Sequence, residues 1–255
     1  MIKGKIKKHN GKGYVCYLDI LGFSFDIMNN WNNPYEDPLK KILKIKQNLP
    51  IKNPRETSVV IDTEEKYEYV SIVKSISDSI IISFGLDEKP ILMDMMFGLL
   101  SFFGNIKHIW LSLIKEGYTV RGAIDYGDIY WDEDEIIGPA LINAYRLESD
   151  VARISRVVIS SDLNKVIKSI LTPLVDTELY KMLISNFRKD IDGYITYNPT
   201  QLPSCEEERF ELIGQLNLLR DKVKDTLIKE KYTPLINILE VNNRQDLRIE
   251  DFGLY

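Results

Sequence analysis

Tyr14-Val15-Cys16-Tyr17-Leu18-Asp19-Ile20-Leu21 carries apolar side chains on both alternating faces, interrupted by one carboxylate. A half-exposed strand alternates apolar with polar, so a run of this kind suits a central strand covered on each side. Gly22 lets the chain turn, and Leu39 to Leu49 then places apolar residues at helical spacing between Pro38 and Pro50. The polar stretch from Ile51 to Lys66 reads as an insertion or loop. From Tyr69 to Phe84 the pattern alternates, with Val70, Ile72, Ile76, Ile80 and Ile82 on one sequence parity and mostly serine on the other. This predicts a hairpin turning near Ser77-Asp78.

Further along, Pro90 to Glu116 is apolar all round in its middle, which predicts a helix packed deep against a sheet and capped by Gly117. A second hairpin is expected from Thr119 to Ile124 and Asp128 to Trp131, joined through Tyr126-Gly127. An acidic loop then leads to a helix from about Pro139 to Ala152 and a strand from Arg156 to Ser160. This order of elements describes an α+β sandwich, a mainly antiparallel sheet with helices on one face. Beyond Ser161 the pattern is helical and charged, with a turn at Asp192-Gly193. The expected organisation is a basic N-terminal segment (1–13), a core domain (14–160) and a largely helical C-terminal accessory region (161–255).

The 255 residues suffice for one core domain with an appendage, and 44% hydrophobic residues are ordinary for a globular fold. A formal charge of −5 argues against broad binding of duplex nucleic acid or anionic membrane, which needs a surplus of Lys and Arg. Cys16 and Cys205 are isolated, so no disulfide framework or zinc site is expected, and a reducing cytoplasm fits. No stretch reads as continuous enough in apolar residues for a signal peptide or membrane span.

Asp19 ends a buried strand, where a bare carboxylate costs several kcal/mol unless paired, hydrogen-bonded or bound to a cation. A helix cap or a buried hydrogen-bonded aspartate is the plain alternative to a metal ligand. Asp78 taken alone is good turn chemistry. Together, a strand end and a hairpin tip on neighbouring strands could offer two hard oxygen ligands to a pair of Mg²⁺ ions. Lys74 shares the parity of Ile72 and Ile76, and either meets an acceptor there or snorkels from an edge strand. Asn143, Arg146 and Asp150 fall at helical spacings of three and four on one face, where Arg146–Asp150 could simply be a surface ion pair. His9 and His108 are too isolated for a ligand pair, and Asp132 to Glu135 fails the calcium-loop pattern.

In this order the segments resemble the class III adenylate and guanylate cyclases. Tyr17-Leu18-Asp19-Ile20-Leu21-Gly22-Phe23 is similar to that family's first metal motif, and Ser75-Ile76-Ser77-Asp78-Ser79 to its second, with Ser77 in place of the usual glycine. Arg121-Gly122-Ala123-Ile124-Asp125-Tyr126-Gly127 resembles its hairpin, and Gly138-Pro139-Ala140-Leu141-Ile142-Asn143-Ala144-Tyr145-Arg146-Leu147-Glu148 its Gly-to-Arg helix. The resemblance spans roughly Tyr14 to Ser160. It implies a ferredoxin-like sandwich, a cytoplasmic homodimer with composite sites, a nucleoside triphosphate substrate, and two Mg²⁺ or Mn²⁺ ions.

By the same resemblance the ions are held at Asp19, Asp78 and the backbone of Ile20. Leu21, Gly22 and Phe23 cradle phosphates through their amides, Lys74 and Glu135 face the base, and Arg146 steadies the transition state. Ile142 stands where the family has a ribose-orienting asparagine; Asn143 follows one position late, rotated by about 100° on a helix. No residue after Ser161 matches the family's phosphate-binding lysine well, Lys181 and Lys189 being the candidates. Arg121 to Ile124, Gly138-Pro139-Ala140 and Asp192-Gly193-Tyr194 are most similar to bacterial pyrimidine cyclases of Pycsar antiphage systems, which implies UTP first and CTP second.

Overall fold

A computed structural model describes residues 8–47, 49, 55–62, 65–223, 226–242 and 247–252. The apolar run at Tyr14 to Leu21 is the second half of β1 (His9–Leu21), flanked on one side by β4 (Ser79–Gly85) and on the other by β5 (Thr119–Trp131), both antiparallel to it. Its even-numbered side chains, Tyr14, Cys16, Leu18 and Ile20, enter the main core, while Val15 joins a smaller core on the opposite face. Burial on both faces is what an apolar run of this kind requires. Residues 9–13, expected in a separate N-terminal segment, extend the same strand; residues 1–7 lie outside the described residues.

Among the described residues the sheet has nine strands in the order β2 (Arg55–Asp62), β3 (Glu65–Ile76), β4, β1, β5, β7 (Val157–Ile159), β9 (Ile195–Tyr197), β8 (Phe187–Lys189), with β6 (Ile136–Ile137) paired to β5. Only β5 and β7 run parallel among the described residues, and the other pairings are antiparallel. One face is layered by α3 (Leu92–Lys115) and α5 (Ser161–Leu171), with Phe102, Trp110, Leu163 and Ile167 fully buried. The other face carries α4 (Pro139–Val151), whose Ala140 packs with Val15, Ile72, Ile81 and Trp131. The fold is thus α+β with a mainly antiparallel sheet, as expected, but its helices cover both faces rather than one.

Three elements differ from expectation. Thr119 to Trp131 is one strand rather than a hairpin. It pairs with β1 residue for residue, from Leu21↔Thr119 to His9↔Trp131. A turn at Tyr126-Gly127 would leave half of those backbone groups on β1 without partners, a cost that outweighs the local turn preference of Tyr-Gly. The chain reverses five residues later, where Asp132 Oδ1 accepts the backbone N–H groups of Asp134 and Glu135, each at 2.9 Å. The expected loop at 51–66 contains β2 (Arg55–Asp62) and the start of β3 (Glu65–Ile76); residues 51–54, 63 and 64 lie outside the described residues. β2 is an edge strand, so it needs no apolar run to signal it.

The third difference is one of faces. The two-residue turn at Ser77-Asp78 pairs Ile76 with Ser79, so an even position on β3 faces the same way as an odd one on β4. Ile72 therefore belongs to the α4 face, whereas Ile80 and Ile82 belong to the α3 face beside Val73. Ile76, at the strand end, is exposed.

The chain after Ser161 contributes α5, α6 (Glu178–Ile184), α7 (Glu206–Lys222) and α8 (Thr226–Val241). It also adds β8 (Phe187–Lys189) and β9 (Ile195–Tyr197) to the same sheet, and Phe187, Leu212, Leu235 and Phe252 join the main core. By length and composition α3 is apolar enough to cross a membrane, although no such segment was evident from the sequence pattern. Its apolar surface is accounted for by the core it fills.

Candidate active site

β1 and the β3–β4 turn bring Asp19 and Asp78 to one cleft of about 230 Å³. Asp78 is placed by its own backbone: Ser77 turns at φ 52°, and the Asp78 carbonyl accepts the Ile20 N–H at 2.9 Å. Its carboxylate accepts a hydrogen bond from Ser24 Oγ at 3.3 Å. Gly22 leaves β1 at φ 88°, a left-handed conformation open to glycine at no steric cost, and α1 (Phe23–Asn30) starts immediately after it. Ile20, Leu21 and Gly22 line the cleft, whereas the Phe23 side chain turns inward and stacks edge-on against Tyr118.

Two residues that the sequence reading left without a role stand at the centre of the cleft's electrostatics. Arg121 on β5 lies directly opposite Asp19, and its Nε–H donates to Asp19 Oδ2 at 2.8 Å. The same Nε is 2.8 Å from Glu148 Oε1. An Nε carries one hydrogen, and here it is directed to Asp19; Glu148 Oε1 is buried without a hydrogen bond. Burial pushes the Glu148 carboxyl up and Arg121 opposes the push, while the negative charges of Asp19 and Asp78 add to it. Burial pulls the Arg121 guanidinium down, but Asp19 and Glu148 outweigh it and hold it firmly charged.

Glu148 reaches this point because Ala140, Ala144 and Glu148 form the buried stripe of α4, one every four residues. Gly138, at φ 156°, admits the helix so closely that a Cβ there would lie 2.5 Å from the Asp128 carbonyl. The outer side of α4 exposes Ile142, Asn143, Tyr145 and Arg146. Arg146 does not line the aspartate cleft, and among the described residues it forms no ion pair with Asp150. Asn143 also lies outside the cleft, beside Asp125 in a separate cavity.

Lys74 pairs with Ile81 and so faces the α4 side of the sheet. It stands within electrostatic reach of Asp132, whose carboxyl is held low by the Tyr130 hydroxyl at 2.6 Å, then by the Glu135 and Asp134 amides, with Lys74 adding attraction. Lys74 and the exposed turn bearing Glu135 therefore share one region of the molecule, and neither lines the aspartate cleft. Lys181 pairs with Glu178 at 2.7 Å and Lys189 with Asp251 at 3.0 Å, and neither lines the cleft. The lysine that does is Lys231 on α8, together with Tyr232.

The donor set fits a divalent cation that completes its shell from substrate. Asp19 and Asp78 supply hard oxygens, and among the described residues no third His, Cys, Asp or Glu converges with them into a closed protein site. An ion there would have to compete with Arg121 for Asp19. No family model matches the chain, and no curated protein matches it. Among solved structures it is similar to the adenylyl cyclase CyaB from P. aeruginosa, at 19% identity over 64% of this chain and 84% of that one, with a TM-score of 0.34. It is similar also to the guanylyl cyclase Cya2, at 13% identity over 63% and 79%, with a TM-score of 0.37. A third is a class III adenylyl cyclase-like ATP-binding protein from Pseudomonas aeruginosa, at 12% identity and a TM-score of 0.40, over 65% of this chain and 37% of that one. These likenesses are remote and bear on no individual residue.

Proposed function

We propose that the chain is a nucleotide cyclase that closes a nucleoside triphosphate into a 3′,5′-cyclic monophosphate and pyrophosphate. The observation that carries this reading is the meeting of Asp19 and Asp78 in one cleft beside the Ile20–Gly22 backbone, two segments that resemble the metal motifs of class III cyclases. Two Mg²⁺ or Mn²⁺ ions, when bound, lower the pKa of the ribose hydroxyl and offset charge on the triphosphate. Asp19 and Asp78 hold and orient the reacting phosphate through that charge. The backbone amides from Ile20 to Phe23, at the start of α1, are donors for the outer phosphates. Arg146 offsets charge developing on the transferring phosphoryl group.

Arg146 and Asn143 on α4, and Lys74 and Glu135 beyond it, lie outside the aspartate cleft, so one protomer supplies only part of such a site. A homodimer in which the α4 face of one copy meets the aspartates of the other completes it. The exposed Ile76, Ile137, Ile142 and Tyr145 suit that face to burial against a second copy. We assign UTP, then CTP, as substrate on the resemblance to the pyrimidine branch, with ATP or GTP as the purine alternative that Lys74 equally suits. On the same resemblance the product is an antiphage second messenger made in the cytoplasm.

A second reading, a cyclase-fold module that binds nucleotide without chemistry, draws on two observations: Ile142 in place of the family asparagine, and Arg121 already bonded to Asp19. Incubation of the purified protein with all four ribonucleoside triphosphates and Mn²⁺, with products identified by mass, separates the readings. A cyclic monophosphate is expected, with the highest kcat/KM for UTP. Binding without product supports the module, and a preference for ATP or GTP removes the pyrimidine assignment alone.

A further inference from the structure

A second cavity, of about 310 Å³, shares no residue with the aspartate cleft. It opens at the carboxyl end of the parallel pair β5 and β7, the position where ligands enter open α/β sheets. Asp125 from β5, Asn143 and Leu147 from α4, and Ser160 and Asn164 from the β7–α5 junction line it. Asp125 is only 2% exposed. One of its oxygens accepts a short hydrogen bond from Ser160 Oγ, which in turn caps α5 by accepting the Leu163 N–H at 3.1 Å. The other, Oδ2, is buried without a hydrogen bond of good geometry, although the Tyr126 backbone N–H and the Asn143 amide stand beside the carboxylate.

Asn164, 4% exposed, lines the same cavity, and its Oδ1 is likewise buried without a partner. Native folds rarely leave one such acceptor, and two at one cavity ask for a donor. The lining contains no Lys, Arg or His to supply it. It contains instead a second carboxylate, Asp162, one oxygen of which is engaged by Lys165 at 2.7 Å. Among the described residues no three metal-ligating side chains converge here, so a divalent metal lacks its shell. Leu147 and Ile159 add apolar wall, with Tyr194 at the rim.

We propose that this cavity binds a small organic cation, a primary ammonium or an amidinium. Its N–H groups meet Asp125 Oδ2 and Asn164 Oδ1, and its carbon body lies against Leu147 and Ile159. Both requirements follow from the lining: acceptors lacking a donor select N–H, the buried Asp125 carboxylate with no cation in the lining selects positive charge, and the apolar wall selects carbon over a bare hydrated ion. Burial pushes the Asp125 carboxyl up, the direction expected of an anion short of a counter-charge. α4 supplies Asn143 and Leu147 to this cavity and sets Glu148 against Arg121, which lines the aspartate cleft, so an occupant would touch the helix that also bears on the other site.

Calorimetric titration of the full chain with n-butylammonium and with benzamidinium tests the proposal, against butan-1-ol and K⁺ at matched concentration. At least one of the two cations should saturate, with butan-1-ol and K⁺ giving no saturable heat. Asp125→Asn and, separately, Asn164→Leu should each weaken that binding at least tenfold. Asn164→Leu keeps the test open if Asp125→Asn fails to fold. Equal binding of butan-1-ol, saturation by K⁺ alone, retention of affinity in the folded variants, or no saturation by either cation below about 10 mM overturns it.

Discussion

If Arg121 competes with a metal ion for Asp19, removing Arg121 together with its second partner should tighten metal binding. The perturbation is the double variant Arg121→Gln/Glu148→Gln. Arg121→Gln alone would leave Glu148 buried without a counter-charge, which costs about 3–5 kcal/mol of stability and confuses the readout. The competing interaction is one charge-assisted hydrogen bond of 2.8 Å between side chains 29% and 20% exposed. Such a bond is worth about 1–2 kcal/mol at partial exposure, so the double variant should bind Mn²⁺ roughly 5- to 30-fold more tightly than the native chain. Glu148→Gln alone should bind more weakly than native, because Arg121 is then committed to Asp19. The assay is titration of Mn²⁺ into nucleotide-free protein, with free ion followed by its paramagnetic resonance signal. Equal weakening in the single and double variants would make Glu148 itself a metal ligand, and unchanged affinity in both would remove Asp19 from the site.

Three further outcomes are expected. Asp19→Ala and Asp78→Ala should each abolish cyclisation yet stay within about 1 kcal/mol of native stability, since Arg121 still has Glu148 when Asp19 is gone; urea melts and product analysis check both. Inactive Asp19→Ala and inactive Arg146→Ala chains, co-refolded, should regain activity through the hybrid that carries one intact site, and failure of rescue or an active monomer counts against the composite arrangement. Asp125 is raised in the folded state, so it favours folding below its unfolded pKa of about 3.9, and that contribution is lost as pH rises through the folded value; chemical melts of Asp125→Asn should therefore gain on native protein from pH 4 to pH 7.

Asp19 stood out in the sequence because a carboxylate inside an otherwise apolar strand must be paired, hydrogen-bonded or bound to a cation, and in the structure Arg121 pairs with it. The α4 helix announced itself by Gly138-Pro139 and its periodicity. Arg121 and Glu148 escaped because each, read locally, is an ordinary surface charge. A signal for Glu148 was present: Ala140 and Ala144 are the small residues that let α4 approach the sheet, and Glu148 continues their four-residue stripe. Arg121 becomes legible only once Ala123 and Asp125 are seen to share its face, which requires Thr119 to Trp131 to be one strand. Tyr-Gly hid this, since local turn preference says nothing of the thirteen backbone partners waiting on β1. The face swap across Ser77-Asp78 was missed for a related reason: sequence parity is preserved along a strand, while a two-residue turn exchanges it between strands.

The wall that α8 gives the aspartate cleft orders events in time as well as space. Ile228, Lys231 and Tyr232 are synthesised some eighty residues after Glu148, which at ordinary elongation rates is roughly 4–16 s later. During that interval a nascent chain can form β1, β4, β5 and α4 and bring Asp19, Asp78 and Arg121 together, but the pocket they share stays open on one side. The Lys231 carbonyl also accepts the Ser155 N–H at 3.0 Å, fastening α8 just ahead of β7. Closure of the cleft is thus expected late in biogenesis, and nascent chains stalled before α8 should expose these charged side chains to solvent.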